Sequence, residues 1–330
     1  MGKQADATEK AGAKKETQAV DPQLLLSMYY NIYTTRQFEL KCIELYRQGL
    51  IRGYLHLYLG EEAVAAGACA ALRPDDFIVS THRGHGHCIS KGADLKLMVA
   101  EIMGRATGYC KGRGGSMHIS SKADNNLGAN GIVGAGIPIA NGAAMGIKVR
   151  GTRQVVVVFF SDGASNNGVF AESLNLASIF QLPVIYMLEN NHYAVSTPIE
   201  CSAGDCCLSG RGPAYGVPGV CVDGNDATEV YLATLSAVER ARKGEGPTLI
   251  EANTFRHGGH HVNDPGLYMD PEKLAQWKAR DPLLLMRARL EAAKADEIEK
   301  RVDAAIEEAV AFAKNSPQPS VEEFLAGIED

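Results

Sequence analysis

Two polar residues, Asp162 and Asn191, stand where a parallel sheet would deliver them to one edge. Gln154 to Phe160 is a short, continuous β-branched and aromatic run, the pattern of a strand buried on both faces. It stops at the small-residue turn Ser161-Asp162-Gly163-Ala164-Ser165-Asn166-Asn167-Gly168. An amphipathic helix follows with Phe170, Leu174, Ala177 and Phe180 on one face. A second strand, Pro183 to Leu188, ends in Glu189-Asn190-Asn191-His192-Tyr193. A right-handed crossover makes the two strands parallel, so both polar segments emerge at the carboxyl edge, where open α/β folds bind ligands. Asp162 offers a charged oxygen, Asn191 a neutral one, and the irregular backbone beyond it a carbonyl. Such a set suits Mg²⁺, which takes one or two carboxylates and completes its octahedron with phosphate and water oxygens. The backbone N–H groups of Gly163 and Ala164, at a helix start, suit the phosphates. Spacing alone also allows a blander arrangement, in which Asp162 caps a helix and Asn190-Asn191 form a turn.

Other stretches carry weaker chemistry. Phe77 to Ser80 reads as a strand leading into Thr81-His82-Arg83-Gly84-His85-Gly86-His87-Cys88. The H-x-x-H-x-H spacing beside a cysteine raises a transition metal. It is loose, however, and favours an arrangement in which His82 and Arg83 face the site while His85 and His87 pack or cap. An Arg with a His at a strand end is well suited to a diphosphate. The loop Lys111 to His118 is glycine-rich and basic, a phosphate cradle by composition or a flexible surface loop. Gly128 to Pro138 lets backbone approach a ligand closely and leads into a small-residue helix, Ile139 to Lys148. Its glycines do not follow G-x-G-x-x-G, which excludes a dinucleotide fingerprint. Arg256 to Gly266 holds histidines and Asp264, but its Gly pair and Asp-Pro-Gly predict a mobile loop. His56, alone before a helix, reads by itself as a structural histidine.

The elements around these residues predict an α/β fold: a doubly wound, mostly parallel sheet with helices on both faces. Asp21-Pro22 opens a helix whose stripe of Leu24, Leu25, Met28, Tyr29, Ile32 and Tyr33 continues through Phe38 to Tyr46, suited to covering a sheet face. Ile199 to Gly219 reads as a long surface loop and Val220 to Gly224 as a strand and turn. Asn225-Asp226 cap a helix with Val230, Ala233, Ala237, Val238 and Ala241 inward, and Thr248 to Phe255 is a further strand. From Pro271 the chain is helical, with Trp277 its single tryptophan and a long amphipathic helix from about Ala295 to Lys314. Residues 21–330 are expected to form one domain with a C-terminal helical segment from about 271, and residues 1–20 a disordered leader. The 330 residues are 45% hydrophobic with 35 glycines, as in a globular enzyme rich in tight turns. A net charge of −6 without a basic aromatic patch argues against nucleic acid, and no apolar run reaches the roughly 18–20 residues that span a bilayer. The eight cysteines, including the vicinal Cys206-Cys207, lack zinc spacing and read as reduced thiols of a cytoplasmic protein. The first twenty residues have no apolar core and no arginine, unlike secretory or mitochondrial signals.

Ser161-Asp162-Gly163 with the later Asn190-Asn191 resembles the thiamine diphosphate signature, with Ser161 where the family usually has Gly. The residues around it, from about Pro22 to Leu325, resemble the alpha subunit of the decarboxylating first component of 2-oxo acid dehydrogenase complexes, of the acetoin and pyruvate dehydrogenase types. The resemblance implies a thiamine diphosphate-binding fold, with thiamine diphosphate and Mg²⁺ as cofactors. It implies that Asp162, Asn191 and the Tyr193 carbonyl anchor the metal, and that His82, Arg83 and His260 contact the diphosphate beside Gly163 and Ala164. It places the backbone of Gly131 and Val133 at the aminopyrimidine, His56 in the substrate pocket, and His260 at the entrance, moving protons. The loop Lys111 to His118 is implied to order the site and a subunit contact. His261 stands where animal pyruvate dehydrogenases carry a phosphorylated Ser, which implies that this switch is missing. The activating Glu is implied to lie on a beta subunit, in a heterotetramer of two alpha and two beta chains that serves a lipoyl-bearing acyltransferase. The implied reaction is oxidative cleavage of acetoin or decarboxylation of a 2-oxo acid such as pyruvate. Pyruvate-type members usually have Tyr at the position of His82, and Ser80 to Cys88 looks like the acetoin type. A non-catalytic assembly subunit is the alternative of another class.

Overall fold

The computed structural model describes residues 20–329, so most of the expected leader lies outside the described residues. Helix α1 (Pro22–Arg47) starts as its sequence dictates, with Asp21 accepting from Gln23 N at 2.9 Å and Pro22 in the first turn. Helix α2 (Glu62–Ala70) is built of small residues and is almost wholly buried. Strand β1 (Phe77–Val79) leads into α3 (His85–Ser90), and α4 (Leu95–Ile102) follows. After a long irregular stretch come α5 (Gly136–Arg150), β2 (Val156–Ser161), α6 (Gly168–Ile179) and β3 (Val184–Asn190). A two-residue hairpin, β4 (Tyr193–Ala194) and β5 (Thr197–Pro198), precedes the short α7 (Ile199–Ser202). Then follow β6 (Gly219–Asp223), α8 (Ala227–Arg242) and β7 (Thr248–Asn253). Helices α9 (Pro271–Ala279), α10 (Pro282–Arg287), α11 (Ala292–Asn315) and α12 (Val321–Glu329) close the described chain.

Five strands pair in the order β1-β2-β3-β7-β6, all parallel. Both faces are covered, which is why the strands read as unbroken apolar runs. Val156, Val158 and Phe160 of β2 turn to α5 and α6, where Ile137, Ala140, Phe170 and Leu174 meet them. Val155, Val157 and Phe159 turn the other way, to Val64 and Ala68 of α2 and Val230 and Val238 of α8. The register aligns Ser161 with Glu189 and Asn190 with Asn253, so the polar strand ends share one edge.

Three expectations are corrected. Helix α1 does not cover the sheet, whose faces are taken by the crossover helices. It packs on α2, α3, α10 and α11, with Phe38 and Leu45 buried against Val302, Ile306 and Val310. Phe180 does not join the inward face of α6: it is the C-cap residue and half exposed. The segment Ile199 to Gly219 is not simply a surface loop, because Ile199, Leu208 and Val217 are buried in the sheet core. Among the described residues, no helix is long and apolar enough to cross a membrane.

Candidate active site

The end of β2 carries Asp162 into the sheet edge, only 2% exposed. Neither carboxylate oxygen has a hydrogen-bond partner. The capping arrangement therefore does not form, and α6 is capped instead by Asn167, which accepts from Val169 N at 3.3 Å. Burial pushes the Asp162 carboxyl up to about 6, against the pull of nearby backbone amides and of Arg256 and Arg83. A buried carboxylate with unused lone pairs is the donor a hard cation needs. Beside it, Asn191 is fixed at both ends of its amide. Its Nδ2 donates to Glu61 Oε2 at 3.1 Å, and its Oδ1 accepts from Tyr193 N at 3.3 Å. The backbone then twists through left-handed conformations at His192 (φ 71°) and Val195 (φ 56°), uncommon for non-glycine residues and costly for a β-branched one. The turn brings the Tyr193 carbonyl toward the edge, where Arg256 Nη1 lies 3.5 Å away. A Cβ on Gly163 would sit 2.8 Å from the Ala194 Cβ, so this approach needs glycine. Ser161, by contrast, has ordinary strand backbone and does not need glycine's freedom.

A wall of basic and imidazole groups faces these oxygens. Arg83 is buried and donates to the carbonyls of Leu57 (2.6 Å) and His260 (3.1 Å), with Glu61 Oε1 at 3.6 Å from its Nε. Three rings cluster beside it: His56 lies 4.8 Å, centroid to centroid, from both His82 and His260, which are 5.8 Å apart. Burial first, and then the Arg83 charge, pushes these imidazoles down to about 3 (His56), 2 (His82) and 4 (His260). All three are neutral at physiological pH. The loop expected to be mobile is tied to the fold. Asp264 accepts from His260 N (2.6 Å), Gly266 N (2.9 Å) and the Tyr268 hydroxyl (2.7 Å), and the buried Arg256 bridges Tyr268, Gly258 and the Val195 carbonyl. Between the walls is an open cleft of about 170 Å³ lined by Glu61, His82, Arg83, Val133, Ser161, Gly163, Glu189, Asn191, Tyr193, Arg256 and His260.

The remaining predicted residues lie around it. Ala164 is buried under Ser161 and Val133 in a small adjoining cavity, and the Val133 carbonyl accepts from Asn167 Nδ2 at 3.2 Å. Gly131 stands outside the cleft lining, against the His118 ring. His85 and His87 turn away into two buried relays. His85 joins Glu39 of α1 (3.0 Å) to Ser116 (2.8 Å), and His87 joins Ser80 (2.8 Å) to Glu189 (2.9 Å), to which the Tyr58 hydroxyl also donates. The glycine-rich loop is an anion cradle, but not for phosphate. The backbone N–H groups of Cys110, Gly112, Gly114 and Gly115 converge on the buried Glu101 carboxylate at 2.7–3.1 Å.

Sequence reasoning missed Glu61, Glu189 and Arg256. Glu61 is buried with one oxygen unpartnered, and its carboxyl is pushed up to about 8 by burial against the opposing Arg83 charge. An acidic pair at the start of a small-residue helix, Glu61-Glu62, was the available signal. Neither half of such a pair should be buried without a task.

The dehydrogenase E1 component family matches residues 30–322. The alpha subunit of acetoin:2,6-dichlorophenolindophenol oxidoreductase from Bacillus subtilis is 46% identical over 320 residues, covering 96% of each chain. The protein of the same description from Cupriavidus necator is 42% identical, over 97% of this chain and 98% of its own. A chloroplastic pyruvate dehydrogenase E1 component subunit alpha-3 from Arabidopsis thaliana is 41% identical, over 92% of this chain and 74% of its own. On a family match of that extent and relatives this similar over most of their length, the chain belongs to the dehydrogenase E1 component family.

Proposed function

We propose that this chain is the alpha subunit of a thiamine diphosphate-dependent oxidoreductase that cleaves acetoin oxidatively, passing the acyl group to a lipoyl-bearing acyltransferase component. The observation that carries the reading is Asp162: a carboxylate buried without a hydrogen-bond partner at the edge shared by Asn191 and the Tyr193 carbonyl. That donor set fits Mg²⁺. Gly163 and Ala164 at the turn, with His82, Arg83 and His260 opposite, fit a diphosphate. The backbone of Gly131 and Val133 is read as the hold on the aminopyrimidine. Bound there, thiamine diphosphate supplies a nucleophilic carbon for the substrate carbonyl and an electron sink for the bond that breaks. The chain's own residues do the rest. Asp162 and Asn191 fix the cation, and Arg83 carries permanent positive charge to the diphosphate. The neutral imidazoles of His56 and His260 can accept a proton at the cleft and return it.

Acetoin is favoured over pyruvate by the Ser80 to Cys88 run and by the described activity of two similar relatives. Pyruvate or a branched-chain 2-oxo acid remains the alternative substrate. A beta subunit would supply the activating Glu, and α5 and α6 offer it a surface: Ile139, Met145 and Val149 on one, Leu176 and Ile179 on the other, are exposed. Two alpha and two beta chains would then bury these faces. We read residues 21–330 as one thiamine diphosphate-binding unit that includes the helical segment from about 271, since α11 packs on α1 and α4. The eight unpaired thiols suit a reducing compartment, the cytoplasm. A non-catalytic assembly role is disfavoured by the retention of Asp162, Asn191, Arg83 and His260 together. The test is dye reduction by this chain co-purified with its beta partner, given Mg²⁺ and thiamine diphosphate, with acetoin and pyruvate compared at equal concentration. Faster turnover of acetoin supports the reading; faster turnover of pyruvate moves the enzyme to the pyruvate type, and turnover of neither overturns it.

A further inference from the structure

We infer that His56, His82 and His260 also form a tridentate site for a late first-row divalent ion, Zn²⁺ above all, whose occupation shuts the enzyme off. Three observations carry this. The first is spacing. A tetrahedral Zn²⁺ held at roughly 2.1 Å by three imidazole nitrogens places the ring centroids about 5 Å from one another. The observed separations are 4.8, 4.8 and 5.8 Å, which bracket that value. One nitrogen of each ring already lies within 4.8 Å of the others, so small ring rotations close the set. The second is unused valence. Nδ1 of His56 and Nδ1 of His260 are buried without a hydrogen-bond partner, and His56 is only 6% exposed. The third is protonation. Burial and the Arg83 charge hold all three rings in the neutral form, the one that ligates. Arg83 and Arg256 also oppose an incoming cation, but Arg83 is engaged by the Leu57 and His260 carbonyls and Arg256 by the Gly258 and Val195 carbonyls. The other buried cluster of ligand types, Glu39, Cys42 and His85, carries no such site, because both His85 nitrogens are already spent on Glu39 and Ser116.

Imidazole donors select Zn²⁺ and its neighbours over Mg²⁺, which keeps to the oxygens around Asp162. Two of the three ligands, His82 and His260, line the cleft. Because His82 and His260 are the groups proposed to meet the cofactor diphosphate, a Zn²⁺ held there would exclude it. Only that inhibitory consequence rests on the proposed function; metal binding itself does not.

The test is Zn²⁺ titration of the metal-free full chain by calorimetry, with X-ray absorption of the one-equivalent complex. The expected result is one tight equivalent whose spectrum shows three imidazole ligands and no sulfur. Affinity should fall about a hundredfold or more in His56→Gln and in His260→Gln, since losing a ligand exceeds the loss of an outer-shell partner. It should hold in Asp162→Asn. Sulfur ligation, loss of the site in Asp162→Asn, or unchanged affinity in His56→Gln would each overturn the assignment. If a histidine variant does not fold, the ligand count in the wild-type spectrum decides alone. Excess Mg²⁺ with thiamine diphosphate should displace the ion. Tight Zn²⁺ binding without displacement would leave the metal site standing and refute the shared use of His82 and His260.

Discussion

Glu101 offers a strong test of how the fold holds its site, because it acts without touching the cleft. Its two oxygens gather four backbone N–H groups of the loop 110–115: Oε2 accepts from Cys110 N (2.7 Å) and Gly112 N (2.9 Å), and Oε1 from Gly114 N (2.7 Å) and Gly115 N (3.1 Å). The wrapped backbone needs left-handed residues at Lys111, Gly112 and Gly115. Glu101→Gln keeps the shape but turns one acceptor oxygen into a donor, leaving two N–H groups facing an NH₂. At about 1.5–3 kcal/mol for each hydrogen bond to a charged group, the loop loses roughly 3–6 kcal/mol of its hold. A loss of 3 kcal/mol raises the open population about a hundredfold. Trypsin reads this directly, because Lys111 and Arg113 lie inside the loop and cleavage tracks the open population when closing is fast. The expected result is cleavage after Lys111 about a hundredfold faster than in the wild type. The effect should carry to the cofactor, since His118 at the loop's far end packs against Gly131. Cleavage within about threefold of the wild-type rate would refute the claim that this carboxylate orders the loop.

Asp162→Asn should separate stability from binding. Without ligands the variant should unfold no more easily than the wild type, because an unpartnered buried charge has been removed. It should lose the stabilisation of about 2.7 kcal/mol that the wild type gains at a hundred times the dissociation constant of Mg²⁺ and cofactor; an equal gain in melting experiments would count against Asp162 as a ligand. Glu61→Ala should weaken Mg²⁺-dependent cofactor binding by about 1–3 kcal/mol because it frees the Asn191 amide to turn. Glu61→Gln, which keeps an oxygen acceptor, should restore most of it, and equal losses in calorimetry would refute a positioning role. The three depressed imidazoles fix the sign of an acid effect. The unfolded chain takes up protons near pH 6.5 that the folded chain refuses until about pH 4 or below. Stability is therefore full above pH 6.5 and falls as pH drops, by up to about 1.4 kcal/mol per unit for each histidine. His82→Gln should remove one such increment from the slope of urea midpoints between pH 6.5 and 5, and an unchanged slope would show that His82 is not held neutral.

The strand-helix-strand unit was legible because burial on both faces leaves no alternation, only apolar runs (Val and Phe in one, Val, Ile, Tyr, Met and Leu in the other) that stop at Ser161 and Glu189. The edge shared by Asp162 and Asn191 follows from parallel pairing alone. What remained hidden depends on partners far along the chain. His85 meets Glu39 from 46 residues earlier, and His87 meets Glu189 from 102 residues later. No local spacing announces either. The glycine loop looked like a phosphate cradle because its amides do cradle an anion, and composition cannot say that the anion is the chain's own Glu101. Helix α1 was misplaced for a similar reason. Its stripe declares an apolar partner without naming it, and the sheet faces were already taken.

The hidden residues explain why the visible ones can work. Glu61 and Glu189 line the cleft and Asp162 sits buried between the lining residues Ser161 and Gly163, three carboxylates near the two guanidinium groups of Arg83 and Arg256 and the imidazoles of His56, His82 and His260 held neutral. A bare diphosphate would meet carboxylates as well as arginines, and a bare cation would meet arginines as well as carboxylates. A divalent ion at Asp162 with a diphosphate against Arg83 answers both, so each makes the other's binding more favourable and by the same factor. Raising the Glu61 carboxyl to about 8 favours the diphosphate side of the pair, since its protonated form removes one negative charge near neutral pH. On the proposed reading, a metal and a diphosphate arriving together would suit this cleft through burial and charge count rather than through any one motif.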